Sequence, residues 1–240
     1  MFAGFSLRVM PAMRRHSVAY VIVCALAVAG WWAFGGNATS SAIVLSAAIS
    51  IAAVGVPHGG LDHWLGRRLL MGWCGSAWPL VFFPSYLMVG MAVALGWVLL
   101  PLIGIFCFFL LSAWHFGREE DKGQSMITAI ASGGLVIWVA ALARPAEMVE
   151  ILNALVVSPH FSFWRSNVST AVMIVDATRV MGLILVPMAV FAAFPVTFFG
   201  VDGVARRREG NRLLLRLATI AVTCWTPILV SFTIYFCVWH

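Results

Sequence analysis

Apolar residues run almost unbroken along this chain, and polar ones gather into short punctuating clusters. Apolar stretches of ~20 residues are long enough to cross a bilayer as helices. The first predicts a helix over 18–34, stopped by Gly35-Gly36-Asn37. A second is predicted over 41–56, with room to extend through 65. Gly72, Gly75 and Pro79 mark the next loop, and a third helix is predicted over 80–99. Pro101 allows a tight reversal into a fourth helix that ends near residue 117, where the charged run Arg118–Lys122 begins. A fifth is predicted over 126–142. The polar segment 144–167 reads as a loop carrying a short amphipathic helix, about 146–157. A further span is predicted over 178–199, followed by a solvated loop, "DGVARRREGNR". The last apolar stretch, 213–239, is interrupted by Pro227.

Composition turns this pattern into a class. The chain has 240 residues, 62% hydrophobic and 10% charged, with a mean hydropathy of +0.98. Soluble domains are roughly 25% charged, so lipid is the expected solvent for this much apolar surface. In lipid the backbone must satisfy its own hydrogen bonds, which favours helices. The expected fold is all-α: a polytopic transmembrane helical bundle of about six to seven membrane helices plus short interfacial helices, forming one domain over 1–240. No internal repeat is visible.

The net charge is +6, concentrated at Arg14–Arg15, Arg67–Arg68 and Arg206–Arg208 beside apolar runs. That is the pattern of positive anchors on the cytoplasmic side, not a nucleic-acid patch. It places the N-terminus and the 62–77, 118–122 and 202–212 segments on the inner side of a cell inner membrane, and 35–40 and 143–170 outside. Arg8, Arg14 and Arg15 before the first run would suit a cleaved leader, but the spans that follow favour an uncleaved first helix. Cys24, Cys74, Cys107, Cys224 and Cys237 are isolated and form no CxxC pair, so they read as packing residues.

Ionisable residues at membrane depth are costly and are functional candidates. His16 sits among arginines and His160 in a polar loop, which makes them an interfacial anchor and a solvated side chain. His58 ends the second run in "VPHGGLDH", His115 the fourth in "LLSAWHFGREED", and His240 follows "FTIYFCVW". Neutral imidazole is the commonest protein ligand for metals, and residues on several helices can converge inside a bundle. Interhelical hydrogen bonding is the competing reading for each histidine. Gly59, Gly60 and Gly117 would let backbone or a ligand approach closely. Asp62 lies four residues after His58 and could orient it as a hydrogen-bond acceptor. His63, about 140° round the helix from His58, is not expected to share its metal. Glu119, Glu120 and Asp121 read as a solvated helix-end turn.

"PHGGLDH", "SAWHFGREED" and "FTIYFCVWH" together resemble, in order, the signature segments of the Brp/Blh family, over roughly residues 50 to 240. These are membrane proteins regarded as β-carotene 15,15′-dioxygenases. The resemblance implies an Fe(II) centre held by histidines, which uses O2 to split the central double bond of β-carotene into two retinals. Matched residue by residue, His58, His115 and His240 are its expected metal ligands. The family's last motif continues as His-Ser-x-Arg-His, whereas this sequence stops at His240, so the C-terminal part of the family domain is expected to be missing here. Trp64, Phe109, Trp114, Phe116, Tyr235, Phe236 and Trp239 lie near the motifs and could line an apolar tunnel, although such residues more often pack or face lipid.

A straight helix over 213–239 would be ~40 Å long and would carry His240 away from the other two histidines. The expected resolution is a break at Pro227, with 213–225 along the interface. Competing functions are a di-iron oxygenase or desaturase, which would need paired histidine clusters absent here; a bis-histidine haem protein; and a non-catalytic membrane partner or transporter supporting a retinal protein.

Overall fold

The computed structural model describes residues 3–33, 45–53, 62–156, 168–199 and 202–239, and every element among them is helical. In chain order they are α1 (Ala3–Ala33), α2 (45–53), α3 (Asp62–Cys74), a 3-10 turn (Gly75–Ala77), α4 (Trp78–Leu99) and α5 (Pro101–Glu120). They continue as α6 (Met126–Gly133), α7 (Leu135–Ala143), α8 (Pro145–Val156), α9 (Val168–Phe199), α10 (Gly203–Trp225), α11 (Ile228–Ile234) and a π-helical turn, Tyr235–Trp239.

Local chemistry explains several boundaries. Pro101 opens α5 at its first turn, where a missing N–H costs nothing. Ser125 caps α6 by accepting from the Thr128 N–H at 3.2 Å, and Asp202 caps α10 through the Val204 N–H at 2.9 Å. Three predicted boundaries differ. The expected loop at 62–77 is mostly helix α3, and the expected solvated loop at 202–212 is the first half of α10. The expected single helix at 126–142 is two, bent by 55° at Gly134. There a Cβ would strike the Trp138 indole, whose N–H donates to the Ile130 carbonyl at 3.1 Å.

Helix α7 is apolar all round and is the core: every residue from Leu135 to Ala141 is buried. Helices α9 and α10 pack against it, and α1 packs on α10, with the Tyr20 hydroxyl 2.9 Å from Thr219 Oγ1. Among the described residues two helical runs, Asp62–Leu99 and Thr170–Phe199, are long and apolar enough to cross a membrane, or three if the bent α6–α7 pair counts as one span. Ser17–Ala33 and Ile228–Val238 are shorter apolar helices.

The break at Pro227 is present: Thr226 is extended (φ −124°, ψ 162°) between α10 and α11. Helix α10 buries Leu215, Ala218, Thr219, Val222 and Thr223 between its neighbours, while Leu214, Leu217 and Trp225 face outward. After the break the chain returns beside α7, so that the Tyr235 hydroxyl donates to the Gly133 carbonyl at 3.0 Å.

Candidate functional site

Helix α5 presents two different faces at its C-terminal end. Ala113, Phe116, Gly117 and Glu120 recur at helical spacing and turn inward. Gly117 is pressed so closely on α6 that a Cβ would collide with the Ala129 backbone, and Gly133 meets Ala113 and Gly117 in the same way. The close approach expected at Gly117 is therefore made by backbone. His115 is one residue and ~100° away from Phe116, which places it on the exposed flank of this seam.

The chain's last described turn is brought to this end. Phe116 packs edge-on against Tyr235, with ring centroids 5.4 Å apart, and lies 6.5 Å from the Phe236 ring. The residues that lead directly to His240 thus sit against the neighbour of His115. His58, His160 and His240 themselves lie outside the described residues. Asp62 is the first residue of α3; its Oδ2 accepts from the Tyr86 hydroxyl at 3.0 Å, and its expected partner His58 is not among the described residues. His63 is exposed on α3, where the Arg68 guanidinium lies 4.0 Å over the Trp64 ring. Among the described residues, no three His, Cys, Asp or Glu side chains form a group that could hold a metal ion.

The acidic turn after His115 is solvated at Glu119, as expected, but not at Glu120 or Asp121, which are paired. Glu120 and Arg216 form an ion pair at 2.7 Å with side chains only 7% and 5% exposed. Arg216 Nε also reaches Glu120 Oε1 at 3.0 Å, and its Nη1 donates to the Ala189 carbonyl at 2.6 Å. One turn earlier on α10, Arg212 pairs with Asp121 at 2.8 Å and with Glu209, and it donates to the Glu120 carbonyl at 3.3 Å. The turn also fastens itself: Arg118 donates to the Gln124 carbonyl at 2.8 Å, and the Gly123 N–H to Asp121 Oδ1 at 3.0 Å. Partial burial pushes the Asp121 carboxyl up, but the Gly123 N–H and Arg212 outweigh it and hold it below its ordinary value.

The expected solvation holds for exposed Glu119 and Arg206–Arg208 but fails for Glu120, Asp121 and Arg212, which the sequence pattern placed in solvent. The missed signal is Arg216 itself, a cation inside the predicted apolar stretch 213–239. Such a charge demands an anion within reach, and Arg212 and Arg216, spaced one turn apart, match the adjacent acids Glu120 and Asp121.

Comparison with known proteins adds a different kind of observation. Residues 49–240 match a family described as Beta-carotene 15,15′-dioxygenase. The chain is also 24% identical over 250 aligned positions to a protein named "Probable beta-carotene 15,15′-dioxygenase Blh" from Halobacterium salinarum; the match covers 96% of this chain and 67% of that protein. No solved structure matches.

Proposed function

Because this chain belongs to the β-carotene 15,15′-dioxygenase family, we propose that it is a membrane-embedded oxygenase that cleaves the central double bond of β-carotene. One β-carotene and one O2 give two molecules of retinal, each aldehyde taking one oxygen atom. The observation that carries the reading is the return of Tyr235–Trp239 onto Phe116, next to His115.

His58, His115 and His240 are the residues that would hold Fe(II); three neutral imidazoles are a donor set that suits non-haem iron with positions left open. Bound there, the metal would supply O2 binding and activation. Asp62 would accept the second ring N–H of His58 and so fix that ring's tautomer. A carboxylate has about four acceptor sites, so the Tyr86 hydroxyl leaves it that capacity.

The substrate is a hydrocarbon that partitions into the bilayer, and the surroundings of His115 suit it. Half-exposed Trp114 precedes the histidine, and the buried rings of Phe116 and Tyr235, with partly buried Phe236, form an aromatic cluster behind it. An apolar setting of this kind binds a polyene by area and shape, excludes water, and asks for no polar group on the substrate.

Retinal formation in carotene-producing cells tests the reading. The parent chain should yield retinal and bind iron on purification, while His58→Ala and His115→Ala should fall to background in both. Equal retinal yields from parent and variants would remove the ligand assignment.

A further inference from the structure

We propose that Glu147 is a positioning residue: it fixes where the last helical segment, which His240 follows in sequence, meets α5. The metal half of this inference rests on the reading of His240 as a ligand; the mechanical half does not.

The first N–H groups of any helix lack intrahelical acceptors. At α11 the cap is Pro227, which offers no side-chain acceptor. The acceptor comes instead from 81 residues earlier: the Ile228 N–H donates to Glu147 Oε1 at 2.7 Å. The carboxylate also places a negative charge at the positive end of α11. Its other oxygen, Oε2, accepts from Arg144 Nη1 at 3.2 Å, and Arg144 Nη2 reaches the Cys224 carbonyl at 3.5 Å. The Arg144–Glu147 pair at the α7–α8 corner therefore grips both sides of the Pro227 break, the end of α10 and the start of α11.

This break needs an external grip. Thr226 is extended and Pro227 has no N–H, so the intrahelical ladder does not cross the joint. From Ile228 to Trp239 is about 17 Å at 1.5 Å per residue, so a swing of about 10° at the joint would move the far end by about 3 Å. That exceeds the ~2 Å length of a metal–imidazole bond. Tyr235 anchors the far end through Gly133; Glu147 sets the near end and the direction.

Two native cysteines serve as reporters. Cys237 lies in the final turn, half-buried, and Cys24 is buried in α1. Whole 240-residue chains retaining only one or the other are labelled with a maleimide in detergent. Glu147→Ala should speed labelling of Cys237 about tenfold by releasing the segment locally, while Cys24 stays as protected as in the parent. Glu147→Gln, whose amide oxygen still accepts from Ile228, should restore slow labelling. Iron affinity, measured on the purified proteins, should fall about tenfold in Glu147→Ala and recover in Glu147→Gln. Unchanged Cys237 labelling in Glu147→Ala would overturn the proposal, as would both cysteines opening together. A loosened segment with undiminished iron affinity would overturn its metal half. A parent chain that binds no iron would defeat the iron reading alone, with the labelling still deciding the clamp.

Discussion

The α3–α4 unit and helix α10 each invert the arrangement familiar from soluble proteins, beside an α7 core that is apolar. Asp62–Leu99 is apolar enough to cross a membrane, yet none of its most apolar window is buried; Trp73 is 90% exposed and Leu80 78%. Helix α10 carries a run of arginines, yet Arg212, Arg216, Thr219 and Thr223 are among the most buried residues it has. Every buried threonine hydroxyl on α10 returns to a carbonyl one turn back, and Arg216 is matched by Glu120. The contrast is what a lipid solvent favours. Apolar side chains gain nothing by leaving lipid, so packing is left to small residues, close backbones and paired polar groups. The family's hydrocarbon substrate fits such a surrounding, as proposed above.

The largest effect that would sharpen this contrast is removal of one partner of the buried pair. Glu120→Leu should strand the Arg216 charge and cost about 3–5 kcal/mol, while the double variant Glu120→Leu/Arg216→Met should recover most of that loss. Unfolding midpoints in detergent would show it; a single variant as stable as the parent would mean that the pair is not buried in the working protein. A smaller effect comes from adding one methyl group to each region. Gly117→Ala forces a Cβ into the Ala129 backbone and should cost about 1–3 kcal/mol, whereas Gly90→Ala, with nothing within 4 Å, should be neutral or stabilising by up to about 1 kcal/mol. Equal midpoint shifts would erase the distinction between the two regions.

The smallest effect is a pH dependence. Asp121 has a depressed folded-state pKa, so the unfolded chain binds its proton first as pH falls. Its contribution is complete above the ordinary aspartate value of about 4 and is lost as pH drops through the lower folded value. Acid unfolding should therefore be less steep in Asp121→Asn than in the parent; parallel curves would show that the Gly123 N–H and Arg212 together contribute nothing through this carboxylate.

The helical class was legible because hydrophobic runs and their Gly and Pro breakers are local signals. The α4, α5 and α8 segments and the break at Pro227 lie close to where the pattern puts them. The 62–77 and 202–212 segments are mostly exposed, as their charge implies, but helical; the burial of Arg212 was missed because charge marks exposure only when no partner is available. At Arg212 and Arg216 the partners are about 90 residues away in the chain, at Glu120 and Asp121. The bend at Gly134 falls at Ser132-Gly133-Gly134, a local breaker that the expectation of one helix over 126–142 passed over.

Sequence by itself determined the all-helical class and, through three short motifs, the histidines worth testing. Tertiary structure decided that α10 is central, that Glu120 and Asp121 are paired, and that the chain doubles back after Pro227 to lay Tyr235 on Phe116. The reason is physical. Helix formation closes hydrogen bonds four residues apart, so nearby residues suffice to fix it. An ion pair, a glycine seam and a cap supplied from another helix depend on residues that only folding brings together.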